Sequence, residues 1–212
     1  MVNFTEANNV FKYNWDQVAI GLWNRYPNPN SKHVLTEDVI FRQCFGNQLI
    51  SKRLLTKTNK IPKWGERFVG GDKHIVLVEE SIVDLDKRTF TTYTRNIGLQ
   101  KILTVEEKCI YRPSPDSPSW TLCERSAWFT SPLGFYFRKP IEMFCVKRFR
   151  RNGEKASQGL DFVLNCMFKP DSLKDHPLFS ASNTFKETAR KAAELAKSKA
   201  PMLHRASTTI HK

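Results

Sequence analysis

Between residues 74 and 130 four segments with strand character, 74 to 84, 88 to 96, 101 to 112 and 119 to 130, follow one another with connections of only a few residues. Parallel neighbours need a crossover of a dozen residues or more, so links this short favour an antiparallel meander. Asp84 to Lys87 and the proline-rich Pro113 to Pro118 supply the turns. In the third segment Leu103, Val105, Cys109 and Tyr111 share one face, as in a sheet covered on one side. Upstream, residues 34 to 43 and 48 to 56 read as two more strands, joined as a hairpin through Gly46 and Asn47. Residues 2 to 12 also look extended.

Helical periodicity occurs on either side of these strands. Asn14 offers an N-cap with Gln17 three positions on, and Trp15, Val18, Ala19, Leu22, Trp23 and Tyr26 form one apolar stripe that Pro27 ends. From Pro132 to about Phe168 the residues Phe137, Ile141, Phe144, Cys145, Arg148 and Phe149 follow helical spacing, with Gly153 as a point of bending. Beyond Pro170 and Pro177, Thr184 and Glu187 make a capping box ahead of an alanine stripe, which buries little area and predicts an exposed or loosely attached helix. The expectation is an α+β fold: a curved antiparallel sheet of about seven strands in residues 1–168 with helices over one face, and a basic, partly helical C-terminal tail in 169–212. Such a sheet can enclose a ligand cavity in place of a solid core.

The chain has 212 residues, 40% hydrophobic, which suits one domain better than two. Its net charge of +13 implies a polyanionic partner: nucleic acid, an anionic membrane surface or an anionic ligand. The tail holds nine Lys/Arg against four Asp/Glu, so most of the excess lies in residues 1–168. No apolar run approaches the roughly 20 residues that span a bilayer. Cys44, Cys109, Cys123, Cys145 and Cys166 show no Cys-x-x-Cys and no short spacing to His, which predicts buried thiols and neither a metal site nor a disulfide framework. Met1 to Glu6 lacks the character of a secretory signal or a matrix presequence, so import into an organelle needs another route.

No Gly-x-Ser-x-Gly, phosphate loop or dinucleotide fingerprint is present, and the histidines lack an obvious Ser or Cys partner, so an enzyme is not expected and no cofactor is implied. A nucleic-acid module shares the basic charge and the aromatics, but no recognisable motif accompanies them, and Trp15, Trp23 and Phe149 fall on predicted core faces. A purely structural adaptor is a third class.

Several stretches together resemble one family. Trp15-Asp16-Gln17-Val18, Arg25-Tyr26-Pro27-Asn28-Pro29 and His33-Val34-Leu35-Thr36-Glu37-Asp38 are similar to the opening signature of PRELI/Slowmo proteins. Arg53-Leu54-Leu55-Thr56-Lys57-Thr58, Tyr93-Thr94-Arg95-Asn96 and Val105-Glu106-Glu107 resemble the PRELI branch more than the Slowmo branch. Asn30, where Tyr is common, and the aromatic Gly134 to Phe137 depart from the pattern; the first is expected to alter pocket polarity, the second to sit at the helix entrance. The resemblance implies a fold similar to START and phosphatidylinositol-transfer domains, with a lipid held between sheet and long helix. It also implies transfer of phosphatidic acid from the outer to the inner mitochondrial membrane for cardiolipin synthesis, with another anionic phospholipid such as phosphatidylserine as the alternative cargo. The implied partners are a small twin Cys-x9-Cys protein of the intermembrane space, forming a heterodimer, and an anionic membrane surface bound peripherally.

Register with the family places Arg25, His33, Lys57, Lys60, Arg148 and Lys155 around the headgroup or pocket entrance, with Asn152 nearby. The cargo phosphate carries between one and two charges near neutral pH, which Arg binds in bidentate fashion and Lys as a point charge. For Arg25 the alternative is a charge complementing the C-terminal dipole of the first helix; for Lys147, Arg148, Arg150, Arg151 and Lys155 it is a solvated helix face. Exposing roughly 30 lipid methylenes to water costs on the order of 20 kcal/mol, so a carrier must close over the tails. The loop Lys57 to Gly71 is the expected lid, with Ile61, Trp64 and Phe68 as membrane contacts; a loop pinned to the core by Trp64 is the alternative.

Overall fold

The computed structural model describes residues 3–58 and 74–169. Seven strands form one antiparallel sheet: β1 (Asn3–Phe11), β2 (Val34–Phe45), β3 (Gln48–Thr58), β4 (His74–Asp84), β5 (Thr89–Asn96), β6 (Thr104–Pro113) and β7 (Thr121–Thr130), in the order β1-β7-β6-β5-β4-β3-β2. The meander and the hairpin appear as expected, and Gly46 makes the hairpin turn at φ 55°, a left-handed backbone that glycine adopts without a Cβ clash. β1 pairs along its whole length with β7, at the opposite edge from β2. The chain from β1 to β2 must therefore cross one face of the sheet, and α1 (Trp15–Trp23) lies in that crossing.

Gln17 caps α1 as the spacing predicts, its Oε1 accepting from the Asn14 N–H at 3.1 Å. The helix ends at Trp23 instead of reaching Tyr26. The residue before a proline is driven out of helical backbone, and here Tyr26 precedes Pro27. Trp15, Val18 and Leu22 bury their side chains, each stabilising the fold by about 1.5 to 3 kcal/mol, and the Trp15 indole N–H donates to the Tyr111 carbonyl at 3.1 Å. α2 (Phe135–Phe168) then runs unbroken through Pro140 and Gly153. At Gly153 a Cβ would stand 2.6 Å from Nη1 of Arg125, so the residue admits a guanidinium close to the helix.

The inner face of the sheet is divided between packing and space. At one end Phe11, Trp15, Leu22, Phe90, Leu160 and Leu164 belong to a single apolar cluster beneath α1 and the C-terminal half of α2. At the other end the N-terminal half of α2 stands over a cavity. Cys109 and Cys123 are buried as expected, whereas Cys44 is exposed on the edge strand β2. The predicted headgroup residue Lys60, the predicted lid residues Ile61, Trp64 and Phe68, and the predicted tail helix lie outside the described residues.

Candidate functional site

Strand alternation turns Leu77, Val105 and Phe129 toward a cavity of about 350 Å³, within the range of small-molecule sites. The helical stripe Ile141, Phe144, Cys145, Arg148, Phe149 lines it from above, as its spacing predicts. Burial pushes the Cys145 thiol up to about 11, which leaves it neutral at pH 7.

Of the predicted headgroup residues, Arg25, His33, Lys57, Arg148 and Asn152 line this one cavity. Lys57 is in β3, which continues to Thr58, and so belongs to the rigid wall and not to the loop in which the sequence placed it. A backbone bond from the Thr58 N–H to the His33 carbonyl, at 2.8 Å, fixes the approach of the two segments. The His33 imidazole is held below its usual value, first by desolvation and then by the positive charges of Lys57, Arg148 and Lys155. Lys57, Arg148 and Lys155 thus act together on His33, although Lys155 is not part of the cavity lining. Asn30 is not among the lining residues either; Ser31 beside it is. An effect of Asn30 on pocket polarity is not supported.

Arg25 has a more specific setting than an electropositive rim. It leaves the C-terminal end of α1 and forms an ion pair with Glu79 of β4, so its side chain does not serve the helix dipole. Glu79 is only 2% exposed and also pairs with Arg53, which in turn pairs with Glu37. Arg53 and Glu79 are opposite one another in the β3–β4 register. Burial alone would raise the Glu79 carboxyl, but Arg25 and Arg53 outweigh it and hold the group down to about 2. A second inward pair, Arg125 with Glu107 at 3.1 Å, crosses β7 and β6 on the cavity wall.

Sequence reading missed Glu37, Glu79 and Arg125 as parts of the site. The usable signal was the inward alternation of Ser51, Arg53 and Leu55, which places a charged side chain between buried neighbours and so requires a counter-charge.

Two motif asparagines shape the surroundings. Asn28 Nδ2 donates to the Arg25 carbonyl at 2.6 Å, while its Oδ1 accepts from the Asn30 N–H at 3.0 Å. Asn96 is 2% exposed; it donates to the Leu103 carbonyl at 2.9 Å and accepts from the Val105 N–H at 2.7 Å, closing the loop between β5 and β6 beside the cavity.

The family model for the PRELI-like family matches residues 16–170, the span that contains nearly all of the motifs above. The chain belongs to the PRELI-like family. It is 42% identical over 200 residues to PRELI domain-containing protein 1, mitochondrial, of Gallus gallus, covering 93% of this chain and 88% of the relative. Identity to the slowmo homolog of Dictyostelium discoideum is 28%, over 90% of this chain and 82% of that one, consistent with the closer resemblance to the PRELI branch. Among solved structures, TTHA0849 from Thermus thermophilus superposes with a TM-score of 0.54 at 13% identity, covering 79% of this chain and all of that one. That likeness concerns the fold alone, an α+β architecture with helices against a curved antiparallel sheet. Arg25, Asn28, Glu37, Arg53, Asn96 and Glu107, which stand in the stretches that resemble the family, take part in the ion pairs and asparagine bonds described above.

Proposed function

We propose that this PRELI-like chain is a phospholipid transfer protein that carries phosphatidic acid between the mitochondrial outer and inner membranes, through the intermembrane space, and so supports cardiolipin synthesis. It acts as a carrier and not as an enzyme. Residues 1–168 form the transfer domain and 169–212 a basic appendage. Its partners are a twin Cys-x9-Cys protein, bound as a heterodimer, and the anionic membrane surface from which cargo is taken.

The observation that carries this reading is the gathering of His33, Lys57 and Arg148 at one cavity, with Lys155 near enough to bear on His33, where the rest of the wall combines apolar side chains with the Arg25–Glu79 and Arg125–Glu107 pairs. A phospholipid divides its chemistry the same way: apolar chains need the wall and an anionic headgroup needs the cations. Phosphatidylcholine offsets its single phosphate charge with choline and fits such a cluster less well.

The test is transfer between donor and acceptor vesicles. The chain should move phosphatidic acid faster than phosphatidylcholine, and Lys57→Ala with Lys155→Ala together should slow the former about tenfold or more, since each charge-assisted contact contributes about 1.5 to 3 kcal/mol. Equal rates for both lipids, or an unaffected double variant, overturn the headgroup assignment. Preference for phosphatidylserine would redirect the cargo while retaining the carrier.

A further inference from the structure

Two arginines share the Glu79 carboxylate, and they are not equivalent. Arg53 also holds Glu37 and is not part of the cavity lining. Arg25 lines the cavity, has Glu79 as its one carboxylate among the described residues, and keeps its Nε–H buried with no acceptor. An unsatisfied donor on a buried cation is costly, and an oxygen supplied from the cavity would satisfy it. The Arg25 backbone is fixed by Asn28, and its guanidinium rests 4.8 Å over the Tyr26 ring, itself part of the lining. The guanidinium is therefore held in place by the chain's own residues.

Resting on the carrier reading above, we infer that Glu79 sets cargo release: its carboxylate stands in for a phosphate at Arg25 in the empty cavity and competes with the phospholipid headgroup for that guanidinium when cargo binds. A headgroup oxygen has the spare Nε–H to accept from at once, and gains the rest of the Arg25 fork only as Glu79 yields it. Glu79 keeps Arg53 throughout, so it remains ionised and needs no proton to let Arg25 go. Two anions on one guanidinium repel each other across a short, poorly screened distance. This limits how tightly the phosphate is held, as a carrier that must unload at the acceptor membrane requires.

The full chain is loaded from vesicles of phosphatidic acid and phosphatidylcholine, re-isolated, and its lipid followed after addition of acceptor vesicles of phosphatidylcholine alone. Glu79→Gln keeps the shape and an acceptor oxygen for Arg53 but removes the competing charge. It should retain phosphatidic acid about tenfold longer than the parent chain, a change of about 1.4 kcal/mol. Glu124→Gln, which removes the same charge from a surface pair with Arg112, should change nothing. A purely structural ion pair predicts the opposite for Glu79→Gln, a looser chain that loses lipid sooner. Release as fast as the parent, with circular dichroism showing a folded variant, overturns the proposal.

If Glu79→Gln fails to fold, the parent chain decides. The ¹⁵N–¹H signal of Arg25 Nε should shift when phosphatidic acid is loaded, and an unmoved signal in lipid-bearing protein overturns the proposal. A parent chain that takes up no phosphatidic acid overturns the carrier reading itself, and this one with it, before any variant is made.

Discussion

His33 illustrates how far a residue's neighbours decide its state. Desolvation and three cations favour its neutral form. A phosphate among Lys57, Arg148 and Lys155 would reverse the local potential and draw the His33 pKa upward. The NMR titration midpoint of the ring should lie below the ordinary 6.5 in lipid-free protein and rise on loading with phosphatidic acid; a midpoint that does not respond places the phosphate elsewhere. The stability linkage has a definite sign. With the folded pKa below the unfolded one, the unfolded chain takes up the proton first, so the His33 contribution is full above about 6.5 and declines as pH falls toward the folded value. Arg25, Arg53 and Lys57 stand in contiguous motifs and were legible there, whereas Arg125 was not. Nor were the carboxylate partners, because Glu79 and Arg53 meet only through a register that the long connection between β3 and β4 leaves open to sequence reading.

At the scale of elements, strands and helices were legible because their periodicity is local, whereas the contacts between them depend on single small residues. Gly159 shows this most clearly. A Cβ there would lie 2.6 Å from Oδ1 of Asn28, whose bonds to Arg25 and Asn30 prevent it from moving aside cheaply. Gly159→Ala gains a few tenths to one kcal/mol of helix propensity but should lose about 1 to 3 kcal/mol to overpacking. The expected outcome is a lower melting temperature and a displaced Asn28 turn, with Arg25 displaced along with it. A variant as stable as the parent would show that α2 can retreat from this turn without cost. Gly21 makes the corresponding contact between helices, where a Cβ would stand 2.6 Å from a Leu164 methyl. Neither glycine carries a sequence signal of close approach, since helical glycine alone reads only as a weak helix former. The same limit applied to the ends: α1 stopped three residues early and β3 took Lys57 from the loop, because proline geometry and strand pairing override periodicity at boundaries.

In the molecule as a whole, solid core and cavity compete for the same sheet face. α1 and the C-terminal half of α2 fill one end, and at the other the apolar wall of the cavity lacks the packed neighbours a core would supply. β2 adds to this deficit: Leu35, Val39, Ile40, Phe41 and Phe45 are each between 44% and 52% exposed along an edge strand. Apolar surface left exposed contributes less to stability than buried surface, so whatever binds the native state should contribute a visible share by mass action. A ligand or partner at 100 times its Kd adds about 2.7 kcal/mol, which for a domain of this size shifts the melting temperature by several degrees. Short-chain phosphatidic acid should therefore raise the melting temperature more than short-chain phosphatidylcholine, and the proposed twin Cys-x9-Cys partner should raise it independently. The two increments should add if the partner covers surface outside the cavity, because sites without shared contacts are additive. If the lone chain melts cooperatively and neither lipid nor partner moves the transition, the cavity is not a cargo site and the partner is not needed for folding.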